Sequence, residues 1–235
     1  MRSVRARIGL SLLPALAMGA PAMGARHSGQ RLARYGPCHV RGSKLLYRKA
    51  AAQVVRGQPL PGGIDRTDPQ WNVYSCVSRS RAHRLFSIGA VDRRFDQSID
   101  HVVLAGRFGA FHITTSAIDP FDCVAVFDLA TGRRIAQDVN ASTYFRALTA
   151  LVLDGTGTAA WAYSSTIDSA GMRQPPGTPV ELWGASTIQA ATTLDTGAID
   201  PASVAVSANV VTWTDAGTSR MADLGGRTHP PGVCV

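Results

Sequence analysis

The fold is indicated most directly by VAVFDLATGR, the stretch from residue 124 to residue 133. Its residues alternate in size and polarity up to Asp128, as they do on the two faces of a β-strand. Thr131-Gly132 then supplies a turn dipeptide before Arg133. The stretch therefore predicts a strand that ends in a tight turn.

Similar segments recur along the chain. Phe111, Trp161 and Trp213 follow comparable apolar runs and lie 50 and 52 residues apart. A period near 50 residues with about four strands in each repeat is the size of a β-propeller blade. The predicted strands are Asn72–Val77, His101–Ala105, Phe108–Thr114, Cys123–Leu129, Leu148–Leu153, Ala159–Ser164, Val180–Trp183, Ser203–Val206, Val210–Thr214 and Ser219–Leu224.

The stretch 124–133 resembles the strand-and-turn segment of WD40-like and quinoprotein-like propeller repeats, where an apolar strand meets Asp and then Thr-Gly. The arrangement also looks like that of uncharacterised exported proteins of high-GC bacteria. The resemblance covers residues 70–225 in three degenerate copies and brings no catalytic residues with it. It implies an all-β, mainly antiparallel fold, a small or incomplete β-propeller of about four blades. The alternative is a β-sandwich with one or two short helices.

One segment gives conflicting signals. Ser43–Gly57 has a Ser start, an Ala-rich middle and a Gly stop, which favour a helix. The repeat pattern and Val54-Val55 favour a pair of strands instead. We expect strands here, and the helix stays open as the alternative.

The N-terminal residues have the three parts of an export signal. Arg2, Arg5 and Arg7 form a basic region, Ile8–Met18 is apolar, and small residues follow up to Ala25. We predict a cleaved signal peptide over 1–25, with an uncleaved anchor as the alternative. The rest then divides into a flexible N-terminal segment (26–37), a β-propeller-like domain (38–225) and a C-terminal tail (226–235). The expected location is outside the cell, secreted or associated with the cell wall, without membrane contact in the mature form.

Charge is distributed unevenly over the chain. The net charge is +8, but residues 26–110 hold 15 Lys or Arg against 5 Asp, whereas residues 111–235 hold 6 Arg against 11 acidic residues. A basic first part favours an anionic cell-wall polymer as partner, and a carbohydrate is a further possibility. Scattered, solvated arginines are the alternative interpretation, and no specific nucleic-acid binding is expected.

The four cysteines form an even set in a chain predicted to be exported. Cys38, Cys76, Cys123 and Cys234 match no zinc-binding spacing, so they predict two disulfides. The favoured pairing is Cys38–Cys76 with Cys123–Cys234. Pairing Cys38 with Cys234 and Cys76 with Cys123 is the alternative.

No sequence motif marks a catalytic or metal site. The chain lacks Gly-x-Ser-x-Gly, His-Glu-x-x-His and P-loop patterns, and none of its six His has a ligand partner at metal spacing along the sequence. Asp100 and Asp200 occupy matching repeat positions and are interpreted as turn or cap residues. We therefore assign no catalytic residue, metal or cofactor at this stage.

Aromatic residues are the remaining candidates for a ligand face. Trp161, Tyr163, Trp183 and Trp213 could stack on sugar rings, or they could pack within the blades. Together these features predict a secreted, non-enzymatic binding or scaffolding protein. The alternative is a hydrolase or lyase that acts on a polysaccharide and uses Glu181 or pairs of Asp.

Overall fold

The fold is all-β, and its sheets are antiparallel, as the sequence predicted. A computed structural model describes residues 37–59, 69–78, 80–92, 95–116, 122–138, 146–165 and 179–226. The described residues contain one short 3-10 helix, Pro37–His39. None of their helices has the length and apolar character needed to cross a membrane. The predicted segments 1–25 and 26–37, apart from Pro37, lie outside the described residues, as does most of the predicted tail.

The strands form successive antiparallel meanders. The first contains β1 (Lys44–Lys49), β2 (Ala52–Pro59), β3 (Trp71–Val77) and β4 (His83–Asp92), and the second contains β5 (Phe95–Ala105), β6 (Phe108–Ser116), β7 (Asp122–Asp128) and β8 (Arg133–Gln137). The third contains β9 (Arg146–Leu153), β10 (Ala159–Ser165), β11 (Val180–Ala185) and β12 (Thr192–Gly197), and the fourth contains β13 (Ile199–Ser207), β14 (Val210–Asp215) and β15 (Thr218–Asp223). Short pairing between β4 and β5 joins the first two meanders into one eight-stranded sheet.

The meanders repeat at a regular interval. Their first strands begin at Lys44, Phe95, Arg146 and Ile199, at intervals of 51, 51 and 53 residues. These first strands lie in sequence beside one another, because β1 contacts β5, β5 contacts β9 and β9 contacts β13. No closed ring of sheets is seen among the described residues, so the four-blade propeller stays a prediction.

The core lies between successive meanders. We number the junctions in chain order, so the first junction separates the first two meanders. Neighbouring residues of a strand point to opposite faces of its sheet. The second and third meanders, which each lie between two others, therefore contribute side chains to two junctions. Phe111 and Phe127 pack in the first junction, Val126 and Trp161 in the second, and Val211 in the third.

The stretch 124–133 forms β7, a turn and the start of β8, as predicted. The Gly132 amide donates to the Asp128 carbonyl at 2.8 Å, and Gly132 has a φ of 71°, where a side chain would be strained. The Asp128 carboxylate accepts from the Ala130 amide at 3.0 Å and pairs with Arg107 at 3.0 Å. The buried strand and its turn are thus encoded locally.

The disputed segment Ser43–Gly57 contains β1 and most of β2, so the expected strands are confirmed and the helix is wrong. Val54 and Val55 are both fully buried, on opposite faces of β2, and this burial outweighs helix propensity. Three strands were not predicted: β4, β8 and β12. β8 and β12 are rich in polar residues and resemble surface loops, whereas β4 contains apolar residues such as Leu85, Phe86 and Ile88 that are typical of a strand.

The disulfide Cys38–Cys76 is confirmed and connects the 3-10 helix to β3. It closes a sequence separation of 38 residues and packs with Val55 in a small cluster of its own. Cys123 is also disulfide-bonded. Its predicted partner, Cys234, lies outside the described residues.

Candidate metal centre

Two histidines face each other across the β5–β6 hairpin. The hairpin turns at Gly106, whose φ of 58° is left-handed, and its register runs without interruption from Ala105 opposite Phe108 to His101 opposite His112. Directly opposed residues on antiparallel strands point to the same face of the sheet. The hairpin therefore places both imidazoles together.

A β-bulge adds a carboxylate to this pair. Ile99 lies opposite Ile113 while His101 lies opposite His112, so Asp100 is an extra residue on β5. Such a bulge re-aims a side chain. Oδ2 of Asp100 lies 3.0 Å from Nδ1 of His101 and 3.2 Å from Nδ1 of His112. We call Asp100, His101 and His112 the bulge triad.

A second carboxylate contacts the buried His112 at its other ring nitrogen. Nε2 of His112 lies 3.1 Å from Oδ2 of Asp122 on the neighbouring strand β7. The side chains of His112 and Asp122 are only 5% and 11% exposed. A histidine that donates its far N–H to a carboxylate presents its other nitrogen in a fixed orientation, which is the usual support of a metal-bound imidazole.

The bulge triad has the geometry and chemistry of a metal site. Its three donor atoms lie within 4.8 Å of one another. A metal about 2.1 Å from each donor would separate neighbouring donor atoms by about 3.0–3.4 Å, which fits both measured contacts. Two imidazole nitrogens and one carboxylate oxygen suit divalent first-row transition metals. The side chains of Asp100 and His101 are 53% and 62% exposed, so one side of the site is open to solvent.

Electrostatics link the bulge triad to the first meander. A hydrogen bond with His101 lowers the pKa of Asp100; desolvation partly opposes this, and the contact with His112 adds to it. Burial raises the pKa of Tyr47 on β1, and the charge of Asp100 raises it further. The charge of Asp100 therefore acts on a tyrosine of the first meander, although His112 faces the third.

A buried acidic group lies deeper in the second junction. Asp138 follows β8 and is 1% exposed. Its Oδ1 accepts from the Val124 amide at 2.6 Å, and its Oδ2 accepts from the Trp161 indole at 2.9 Å. Burial raises the pKa of Asp138 to about 6, although these hydrogen bonds act in the opposite direction.

Tyr163 connects this buried acid to the bulge triad. Its ring centroid lies 6.1 Å from that of His112, and the Arg146 guanidinium stacks on its ring at 4.0 Å. Burial raises the pKa of the Tyr163 phenol, and the charges of Asp138 and Asp122 raise it further. Arg146 also pairs with Glu181 at 2.8 Å.

The aromatic candidates are not gathered at this site. Trp161 and Tyr163 are fully buried and Trp213 is 5% exposed, while Trp183 is half-buried and its indole faces Glu181 at 3.4 Å. Their burial favours packing, and the sugar-binding role stays a prediction.

The carboxylates of the hydrolase alternative lie in separate local networks. Asp200 lies in β13 rather than in a turn, and its side chain accepts from the Ala202 amide at 3.0 Å where the β13–β14 register shifts. Glu181 forms an ion pair with Arg146. Neither residue belongs to the bulge triad, which contains a single carboxylate.

The bulge triad escaped prediction because strand pairing, rather than spacing along the chain, brings its ligands together. His101 and His112 were both placed in predicted strands on either side of a Gly turn. Counting outward from that turn would have paired them. The bulge at Asp100 leaves no comparable signal in the sequence.

Comparison of the chain with protein-family models, with curated proteins and with solved structures gives no match.

Proposed function

We propose that this chain is a secreted, non-enzymatic binding protein with a small β-propeller-like domain, and that it binds a divalent transition-metal ion at the bulge triad. One observation carries the proposal. A single carboxylate oxygen of Asp100 lies 3.0 and 3.2 Å from the Nδ1 atoms of two histidines, one of which is supported from behind by Asp122.

Each residue would have a defined role. His101 and His112 would bind the metal through Nδ1, both neutral, and Asp100 through Oδ2. Asp122 would accept the Nε2 proton of His112 and so fix its tautomer. Because His101 and Asp100 are exposed, the remaining coordination positions would face solvent and a further ligand could reach them.

The propeller-like architecture and the secretion are parts of the same proposal. Four meanders at intervals of 51, 51 and 53 residues, with their first strands side by side, support the architecture. The basic and apolar N-terminal segment and the Cys38–Cys76 disulfide support export to an oxidising compartment.

The test is isothermal titration of the oxidised protein with Zn²⁺ after treatment with a chelator. We expect one Zn²⁺ per chain. His101→Gln should weaken binding by about tenfold or more, because a ligand is lost. Since His101 is an exposed side chain, this variant should fold normally.

His39→Gln is the matched control, since His39 is exposed and belongs to the 3-10 helix rather than to the bulge triad. It should bind Zn²⁺ as the wild type does. Equal affinities for wild type, His101→Gln and Asp100→Asn would refute the metal site.

A further inference from the structure

The fourth meander has one strand fewer than each of the others. In the first three meanders the third strand, which is β3, β7 or β11, pairs with a strand on each side. The third strand of the fourth meander is β15, and within the part of the chain that the structure describes it pairs only with β14. An open strand edge of this kind is a template on which another strand can pair.

The backbone hydrogen bonds between β14 and β15 show which groups face this edge. The Leu224 amide donates to the Asn209 carbonyl at 2.6 Å, in step with an uninterrupted β14–β15 register. In an antiparallel ladder, alternate residues direct both backbone groups to the same neighbour. The N–H and C=O groups of Ser219, Met221 and Asp223 therefore point away from β14, toward the open edge.

The side chains of β15 leave this edge accessible. Met221 is 69% exposed and lies opposite Thr212, on the face that points away from the third junction. Arg220 lies on the other face, and its guanidinium pairs with Asp215 of β14 at 3.3 Å. Its charge is thus directed toward its own sheet, so it does not protect the edge by repelling a second strand.

We infer that β15 pairs antiparallel with β15 of a second copy of this chain, about a two-fold axis at Met221. A two-fold axis normal to the sheet keeps every side chain on its own face. Met221 then lies opposite the partner subunit's Met221. In this register all the outward N–H and C=O groups of Ser219, Met221 and Asp223 find partners, which gives six hydrogen bonds across the axis.

The neighbouring registers are less favourable. An axis at Arg220 sets two arginines directly opposite each other, and an axis at Ala222 sets Met221 opposite a carboxylate. Each of these registers also leaves the outward backbone groups of one residue in each strand without a partner in β15.

The register centred on Met221 matches the side chains as well. The two exposed Met221 side chains cover each other, and thioethers adapt readily to such a contact. The Ser219 hydroxyl lies beside the partner subunit's Asp223, to which it donates. Arg220 lies beside the partner subunit's Ala222, so no like charges meet.

An interface built on one short strand from each copy is small, so the dimer is weak. It lies on the fourth meander, whereas the bulge triad belongs to the second. The inference therefore does not depend on the metal site.

Sedimentation equilibrium of the oxidised full chain, with a chelator present, tests for the dimer. Between about 10 µM and 1 mM we expect monomer and dimer in exchange, with a dissociation constant of about 100 µM. Met221→Lys sets two ammonium groups against each other on the axis and should weaken the dimer about tenfold or more. Leu45→Lys, at a 40% exposed apolar residue of β1, is the matched control and should dimerise as the wild type does.

Cysteine cross-linking tests the register. Opposed residues of a hydrogen-bonded antiparallel pair have Cα atoms about 5.5 Å apart, within the span of a disulfide. Met221→Cys should therefore give a disulfide-linked dimer on mild oxidation, detected by non-reducing electrophoresis. Thr218→Cys is the control, because the two-fold axis places its two copies six residues, or about 20 Å, apart. Both side chains are exposed, so both variants should fold normally.

Three results overturn the inference. The first is a wild-type chain that stays monomeric up to about 1 mM, which would leave the edge of β15 to a different partner. The second is a dimer that Met221→Lys does not weaken. The third is equal cross-linking of Met221→Cys and Thr218→Cys.

Discussion

Gln137 and Asp138 are neighbours in the chain, and both are buried polar residues at the end of β8. Their side chains enter different junctions. The Gln137 amide faces the first junction with no hydrogen-bond partner among the residues that the structure describes, whereas the Asp138 carboxylate accepts from the Val124 amide and the Trp161 indole in the second. Burial alone therefore does not define the role of a polar residue, because the hydrogen bonds that it makes decide whether its burial stabilises or destabilises the fold.

The same contrast extends over the two faces of the second meander. The face toward the first meander carries Phe111 and Phe127, and Phe86 of the first meander packs edge-on against Phe111 and tilted against Phe127. The face toward the third meander carries His112 and the acids that surround it. One sheet thus presents an aromatic cluster on one side and a network of histidines and acids on the other.

The largest expected effect is that of Asp138→Leu on stability. The substitution leaves the buried Val124 amide and Trp161 indole without an acceptor, at about 1–3 kcal/mol each. We expect the free energy of unfolding to fall by about 4 kcal/mol in equilibrium denaturation with guanidinium. Asp138→Asn keeps one acceptor oxygen and should lose about half as much. A loss below about 1 kcal/mol for Asp138→Leu would contradict the structural role.

The next effect is the pH dependence that Asp138 creates. Burial raises its pKa to about 6, above the value of about 3.9 in an unfolded chain. Between these values the folded protein retains a proton that the unfolded chain has lost. The contribution of Asp138 to stability should therefore fall by roughly 3 kcal/mol as the pH rises from about 4 to about 6.

Urea denaturation of wild type and Asp138→Asn at several pH values isolates this contribution, because other titrating groups are common to both proteins. Arg146 and Tyr163 face Asp138, and Arg146 opposes the shift. The wild type should lose stability relative to the variant as the pH rises. The free energies of unfolding of the two proteins are compared at each pH. A difference that stays constant with pH, or that grows in favour of the wild type, would be inconsistent with a raised pKa of Asp138.

A smaller effect is expected for Asp122→Asn on metal binding. The variant keeps the ligands of the bulge triad but weakens the support of His112 at Nε2. We expect the Zn²⁺ affinity to fall by about 10- to 100-fold at unchanged stoichiometry, measured by competition with a chromophoric chelator. An unchanged affinity would mean that Asp122 does not position His112.

The smallest effect, of opposite sign, is that of Gln137→Met on the stability of the unliganded protein. Removing a buried amide that has no hydrogen-bond partner in the described part of the chain should leave the free energy of unfolding unchanged or raise it by up to about 1 kcal/mol. Guanidinium denaturation beside Asp138→Leu makes the comparison within one experiment. Losses of similar size in both variants would abolish the distinction between the two residues.

Much of the fold could be predicted because it is encoded locally. The alternation in residues 124–133 marks a buried strand, and Gly132 marks its turn. The even set of cysteines in a chain predicted to be exported led to Cys38–Cys76. Strands such as β12 escaped prediction because TTLDTG is polar, and its half-buried side chains resemble those of a loop.

The sites could not be predicted in the same way, since they depend on non-local register. The bulge triad requires the β5–β6 register and a bulge in which Asp100 has no opposite residue on β6. Neither is visible in the spacing of residues along the chain. Gln137 and Asp138 read as surface residues because polar side chains are usually exposed. Only the packing of neighbouring meanders buries them and gives them different partners.

The central claim is that the bulge triad holds a metal ion, and anomalous diffraction from crystals grown with Zn²⁺ tests it most directly. We predict an anomalous peak about 2.0–2.2 Å from Nδ1 of His101, Nδ1 of His112 and Oδ2 of Asp100. Zinc bound only at other histidines, such as His39 or His83, with none at the bulge triad, would contradict the claim.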